Sequence, residues 1–149
     1  MKKIAIFEIK GGLGNQLFQY NFSRIFSDND FIVFYNFNFF KNFEKFEENN
    51  TKRELQLSFL NYKFKETNTF FLNAVKLLNI CINSNKLNKF FPFVNKYIFK
   101  FYKERDFDKN FKQNKFALIN YFDGYWQDIN YLSNHERLLK DLFINKQKF

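Results

Sequence analysis

The chain has 149 residues, enough for one domain that buries roughly two thirds of the surface its unfolded form would expose. Hydrophobic residues make up 46% of it, which excludes general disorder, and the single cysteine, Cys81, excludes an intrachain disulfide and fits a reducing compartment. The net charge of +9 favours anionic partners, but only 4 of the 24 basic residues are arginines and the lysines are scattered; lysine lacks the bidentate fork that nucleic-acid readers exploit, so solvated faces account for most of this charge and nucleic acid is not expected.

The 26 phenylalanines accompany a general enrichment in Asn, Lys and Ile. They are read as core residues standing where leucine is usual, and Cys81 as a core residue too. Met1-Lys2-Lys3 opens like a signal peptide, yet Glu8 and Lys10 interrupt the apolar run that follows. No window approaches 18 uncharged apolar residues. The expected location is the cytoplasm, with peripheral contact to the inner membrane face left open by the charge.

Residues 3–9 (KIAIFEI) are β-branched and aromatic, a strand of ordinary length. A glycine-rich turn follows, KGGLGNQ, and then a helix over 15–27 with an apolar stripe at Phe18, Phe22, Ile25 and Phe26. Ser27 to Asp30 is a turn cluster and 31–35 (FIVFY) a second strand, completing a βαβ unit whose crossover is right-handed and whose strands are parallel. Residues 36–51 read as a surface excursion and 52–60 as a short helix or helical turn. The spacing of Phe71, Val75, Leu78 and Ile82, and then of Val94, Ile98 and Phe101 after Pro92, predicts two helices between residue 69 and about residue 105. A polar connection leads to a third strand over 116–121, and Leu132, Leu139, Leu142 and Phe143 give a closing amphipathic helix over 129–143. The fold class is α/β: a Rossmann-like parallel sheet containing 3–9, 31–35 and 116–121, with helices around it.

Two stretches carry candidate chemistry. Gly11, Gly12 and Gly14 let the backbone approach a ligand closely at the carboxyl end of a strand, where open α/β sheets bind ligands, and the free N–H groups of the helix start favour an anion. The loop is neither a P-loop, which needs Lys-Ser/Thr after its last glycine, nor a dinucleotide fingerprint, which needs one more glycine. Asn15 and Gln16 stand where their amides serve either a ligand or the helix cap. In the second stretch, Gly124, Tyr125, Trp126 and Gln127 offer either an apolar platform with amides at its edge or aromatic core packing. Asp123 and Glu8, each at a strand end, are candidate general bases. His135 is read as a surface residue.

GGLGNQLFQY at 11–20 and YFDGYWQDINYL at 121–132 resemble, in order, two blocks of the alpha-1,2-fucosyltransferase family (glycosyltransferase family 11), and RELQLSF at 53–59 is similar to a weaker element between them. The resemblance implies a two-domain, GT-B-like enzyme that transfers fucose from GDP-fucose to a galactoside of a surface glycan by direct displacement, with no metal and no further cofactor. It implies that Asn15 and the backbone of Gly12 and Gly14 face the sugar nucleotide across the interdomain cleft. The family's His-x-Arg-Arg-Gly-Asp-Tyr segment, whose arginines hold the donor phosphates, has no counterpart: the arginines are Arg24, Arg53, Arg105 and Arg137, none adjacent to another. Residues 1–149 are therefore expected to be the N-terminal, acceptor-side half, the donor-binding half being missing, or else an inactive remnant or sugar/nucleotide-binding module. The two blocks are expected to converge, bringing Gly12, Gly14 and Asn15 near Gly124, Tyr125 and Gln127.

Overall fold

A computed structural model describes residues 2–41, 53–57, 63–83, 93–108 and 114–131. Strand β1 is Lys3–Glu8, helix α1 Leu13–Ser27, strand β2 Phe31–Asn36, the single-turn helix α2 Asn38–Lys41, helix α3 Thr69–Asn83, strand β3 Phe99–Lys103 and strand β4 Ile119–Asp123. The four strands form one parallel sheet in the order β2-β1-β4-β3. The three runs expected to be strands share this sheet, the third starting three residues and ending two residues later than its pattern suggested. The closing helix falls outside the described residues beyond a short turn at Ile129–Tyr131; of the short helix expected over 52–60, only residues 53–57 are described, and among them Leu57 alone has helical geometry.

Strand β3 corrects the expected second helix. Val94, Ile98 and Phe101 have helical spacing, but only Val94–Ile98 turns helically, as a π-turn. The next five residues, FKFYK, are aromatic and alternating, and β4 offers them an open edge. Phe99 pairs with Ile119 and Tyr102 with Phe122. Sheet pairing overrides a short helical pattern when a partner strand is at hand.

The alternation of β1 divides the core. Ala5 and Phe7 face α1 together with Phe22, Ile25 and Phe26, while Ile6 faces α3 together with Leu72, Val75, Phe99 and Tyr121. On α3 the buried stripe is Leu72 and Val75, and Leu78 of the expected stripe is exposed. On the α1 side, register aligns Phe7, Phe122 and Tyr102 on adjacent strands. Their rings stack at 4.6 and 5.0 Å between centroids, with interplanar angles of 7° and 6°. Phenylalanine thus does more than fill volume, because a row of flat rings spans three strands where branched side chains would interdigitate. The edge of β2 is covered: Tyr35 donates its N–H to the Lys65 carbonyl and Thr67 donates its own to the Tyr35 carbonyl. On the opposite edge, β3 carries Lys100 and Lys103.

Trp126 closes the α1-side core. It is fully buried and stacked on Phe22 at 4.3 Å. It takes a positive φ of 56°, a conformation that costs a bulky residue on the order of 1–2 kcal/mol, and its indole N–H finds no partner among the described residues. Both costs are carried by the ring's burial. Trp126→Ala is expected to destabilise the fold by about 3–4 kcal/mol, as large aromatic truncations do, measured by urea unfolding followed by circular dichroism. A loss below about 1 kcal/mol would place the ring outside the load-carrying core.

Candidate functional site

The glycine turn leaves β1 at Ile9 and enters α1 through Gly12, whose carbonyl accepts the Gln16 N–H at 3.0 Å. The helix begins without a side-chain cap, so Asn15 is not its cap. The glycines divide by what they do for the fold. Gly11 takes φ 81°, and a Cβ there would lie 2.7 Å from Asn15 Nδ2 and 3.2 Å from the Tyr125 ring; Gly124 would meet the Glu104 side chain at 2.8 Å. Gly11 is demanded by its positive φ and by the approach of Tyr125, Gly124 by the approach of Glu104. Gly12 and Gly14 have ordinary φ. Among the described residues, a Cβ at Gly12 would meet only the Arg53 guanidinium, at 3.8 Å, and one at Gly14 would meet nothing within 4 Å. Nothing among the described residues asks for either, and their absent side chains leave backbone open to an approaching ligand.

Two glutamines on one face of α1 fasten the neighbourhood. Gln16 is fully buried; its amide donates to the carbonyls of Gly11 at 2.9 Å and Glu54 at 2.8 Å, and its oxygen accepts the Gln56 N–H at 2.9 Å. With both N–H groups and the oxygen engaged, Gln16 is a clamp and not the ligand-binding residue its position suggested. Its effect is to hold residues 53–57 against the turn, which sets Arg53 beside Gly12. Gln19, one turn on and also buried, accepts the Lys10 N–H at 3.0 Å and donates to the Gly124 carbonyl at 3.1 Å. It ties one block to the other.

The second block follows β4. The Glu104 carboxylate accepts two backbone N–H groups, Tyr125 on one oxygen and Gln127 on the other, both at 2.9 Å. Held this way, the chain turns Trp126 inward and leaves Tyr125 and Gln127 outside. Trp126 is therefore core, which decides between the ligand platform and the core packing that the sequence left open; the only ring of this block at the surface is Tyr125, 40% exposed. Gln127 Nε2 donates to Asn15 Oδ1 at 2.5 Å, and Lys10 Nζ lies 5.6 Å from the centre of the Tyr125 ring. The two blocks converge as expected, through Asn15 on Gln127, Gly11 against Tyr125 and Gln19 on Gly124, while the neighbour seen at Gly12 is Arg53.

The two candidate bases lie side by side at the ends of β1 and β4, on the face covered by α3. Asp123 is ion-paired with Lys10. Burial alone would lower the pKa of Lys10, but the hydrogen bond and charge of Asp123, with Glu8 and Tyr125 behind, outweigh it and raise the value above the ordinary 10.5. Glu8 Oε2 accepts a hydrogen bond from the Tyr121 hydroxyl at 2.8 Å, and that hydroxyl accepts one from Asn36 Nδ2, also at 2.8 Å. Burial, then the Glu8 charge, push the Tyr121 phenol far above its usual range, so it keeps its proton and donates. Among the described residues, no group of three or more His, Cys, Asp or Glu side chains could hold a metal ion, and no helix is long and apolar enough to cross a membrane.

Lys10, Gln19, Asn36, Arg53, Glu104 and Tyr121 were not singled out in the sequence. Arg53 was within reach, since it opens the RELQLSF element, but nothing in the chain announced the Gln16 clamp that delivers it. Comparison with protein-family models, curated proteins and solved structures finds no match to this chain.

Two outcomes test this geometry. Gly14→Ala is expected to raise unfolding stability by about 0.5 kcal/mol, since alanine is the better helix former and meets no obstruction; destabilisation would mean that the fold itself needs this glycine. For Lys10, a raised folded pKa contributes stability that is complete below the unfolded value of 10.5 and is lost as pH rises through the folded value. Lys10→Met should therefore cost about 1 kcal/mol in urea unfolding at neutral pH, the gap to the parent chain closing above pH 10.5. A gap that stays constant with pH would leave the ion pair without a role.

Proposed function

We propose that this domain is the acceptor-side part of an alpha-1,2-fucosyltransferase-like enzyme, one half of a GT-B-like pair, acting with GDP-fucose on a galactoside. What carries the reading is the pair of glycines, Gly12 and Gly14, that nothing among the described residues requires, set in the turn at the carboxyl end of β1 with Arg53 beside Gly12. Glycine kept where neither φ nor packing asks for it leaves peptide N–H groups accessible, and at the start of a 15-residue helix these groups and a guanidinium suit a diphosphate. The resemblance of 11–20 and 121–132 to the fucosyltransferase blocks names the donor.

In such a displacement the acceptor hydroxyl oxygen forms the new bond to the anomeric carbon as the bond to the diphosphate breaks. The leaving group departs with the electron pair and the hydroxyl proton passes to a base. Of the two candidates, Asp123 is engaged by Lys10, whereas Glu8 has one carboxylate oxygen on Tyr121 and the other beyond it. Charge developing on the diphosphate meets the turn N–H groups and Arg53.

One observation favours a second reading, a sugar- or nucleotide-binding module without transfer: the sequence has no adjacent pair of arginines. Each hydrogen bond from a charged group contributes about 1.5–3 kcal/mol, so lacking two contacts costs roughly two to four decades in affinity. The 149-residue chain is accordingly expected to bind GDP-fucose no tighter than about 1 mM and to give no fucosylated lactose-type product above a no-protein control. Amide signals of Gly12, Gly14 and Asn15 should move in a GDP-fucose titration followed by nuclear magnetic resonance. Unmoved signals at saturation would remove the donor-facing role of the turn, and turnover by this chain alone would show that an arginine pair is dispensable. Adding a donor-binding half that carries the arginine pair separates the readings: the transferase then yields product and the module only binds.

A further inference from the structure

Between α3 and the carboxyl ends of β1, β4 and β3 lies a cavity of about 310 Å³, at the small end of the ~300–1,000 Å³ usual for ligand sites. Its interior is apolar: Val75 and Ile80 line it from α3, and Phe101 and Tyr121, stacked on each other at 5.2 Å, line it from the sheet. Polar groups come from both walls, Glu8 and Asp123 from the strand ends and Lys76 and Asn79 from the helix. Lys10 cancels Asp123, and Lys76 balances Glu8 in sign, so the formal charge around the cavity sums to zero in a chain carrying +9. That balance disfavours a phosphate and an ammonium group alike. Among the described residues Glu8 has no ion-pair partner, and the Asn36 to Tyr121 to Glu8 chain of hydrogen bonds fixes one carboxylate oxygen from behind.

We propose that this cavity binds a neutral pyranose ring, its apolar face against the α3 and aromatic lining and its hydroxyls donating to Glu8, with Tyr121, backed by Asn36, as a positioning residue. A small space with aromatic and aliphatic lining and carboxylate acceptors at the strand ends matches a ring that has one C–H face and a hydroxyl rim. The choice of galactose rests on the transferase reading, while the class of ligand rests on the cavity alone.

The test titrates methyl β-galactoside into the 149-residue chain with isoleucine and valine methyl groups labelled, alongside glucosamine and inorganic phosphate. The Val75 and Ile80 methyl signals are expected to shift saturably with the galactoside, at a Kd of about 1–10 mM, and not with phosphate. Glu8→Gln should weaken binding about tenfold, because an ionised acceptor is replaced by a neutral one. Tyr121→Phe should weaken it several-fold in the parent chain and have no further effect in a Glu8→Gln background, a dependence that a purely structural role would not show. Ile80→Glu, at an exposed position on the cavity wall, should abolish the shifts while the Ile25 methyl signal of the opposite core reports an intact fold. Unmoved Val75 and Ile80 signals, unchanged affinity in Glu8→Gln, or a preference for phosphate or glucosamine would each overturn the proposal. Saturable galactoside binding in a chain that never yields transfer with a donor half would support the cavity and retire the transferase reading.

Discussion

Everything at the candidate site depends on the pairing of β1 with β4. Ile4 lies beside Ile119 and Phe7 beside Phe122, so residues more than a hundred positions apart are joined by backbone hydrogen bonds along a parallel ladder. Because the strands run the same way, both exits fall on one edge of the sheet, and the turn after β1 meets the turn after β4 without any further device. Parallel pairing also fixes which side chains point together. Glu8 and Asp123 reach the α3 face as neighbours, and Phe7 and Phe122 stack on the α1 face.

The contacts that refine this meeting are polar and short-ranged, and each acts through backbone. Gln16 and Gln19 leave α1 one turn apart and take hold of separate segments, 54–56 and 124. Glu104 takes hold of two outward-facing residues, Tyr125 and Gln127, and by doing so drives the ring between them into the core. The strained backbone at Trp126 is the local expression of this arrangement, offset by its stack on Phe22. Buried amides suit the task, since an amide that donates twice and accepts once links segments without bringing in charge that would then need compensation.

How far the sequence could be read follows from the range of each interaction. The βαβ opening was legible because β-branched strand residues, glycine turn and helical stripe are local signals, and the shared edge of the two blocks followed from strand ends alone. Strand β3 was not, because its identity comes from an edge that β4 supplies and only a short helical spacing competes with it. The roles of Gln16 and Trp126 were invisible for a related reason: a polar residue beside a glycine turn, or an aromatic beside another, has the same local signature whether it faces solvent or core. Only the packing decides, and it sent Gln16 and Trp126 inward while leaving Tyr125 outside.

The edges of the sheet have a consequence for the life of a chain so rich in phenylalanine. An unpaired strand edge is a template on which a second copy adds its own strand, and flat aromatic strands are prone to it. Here one edge is sealed, since residues 65 and 67 bond to β2 as a further strand would. The other, β3, alternates its rings with Lys100 and Lys103, and a second copy laid along it would bring like charges into register. Among the described residues the two edges are thus guarded by different means, a covering segment on one side and lysine charge on the other, beside an interior built of stacked rings.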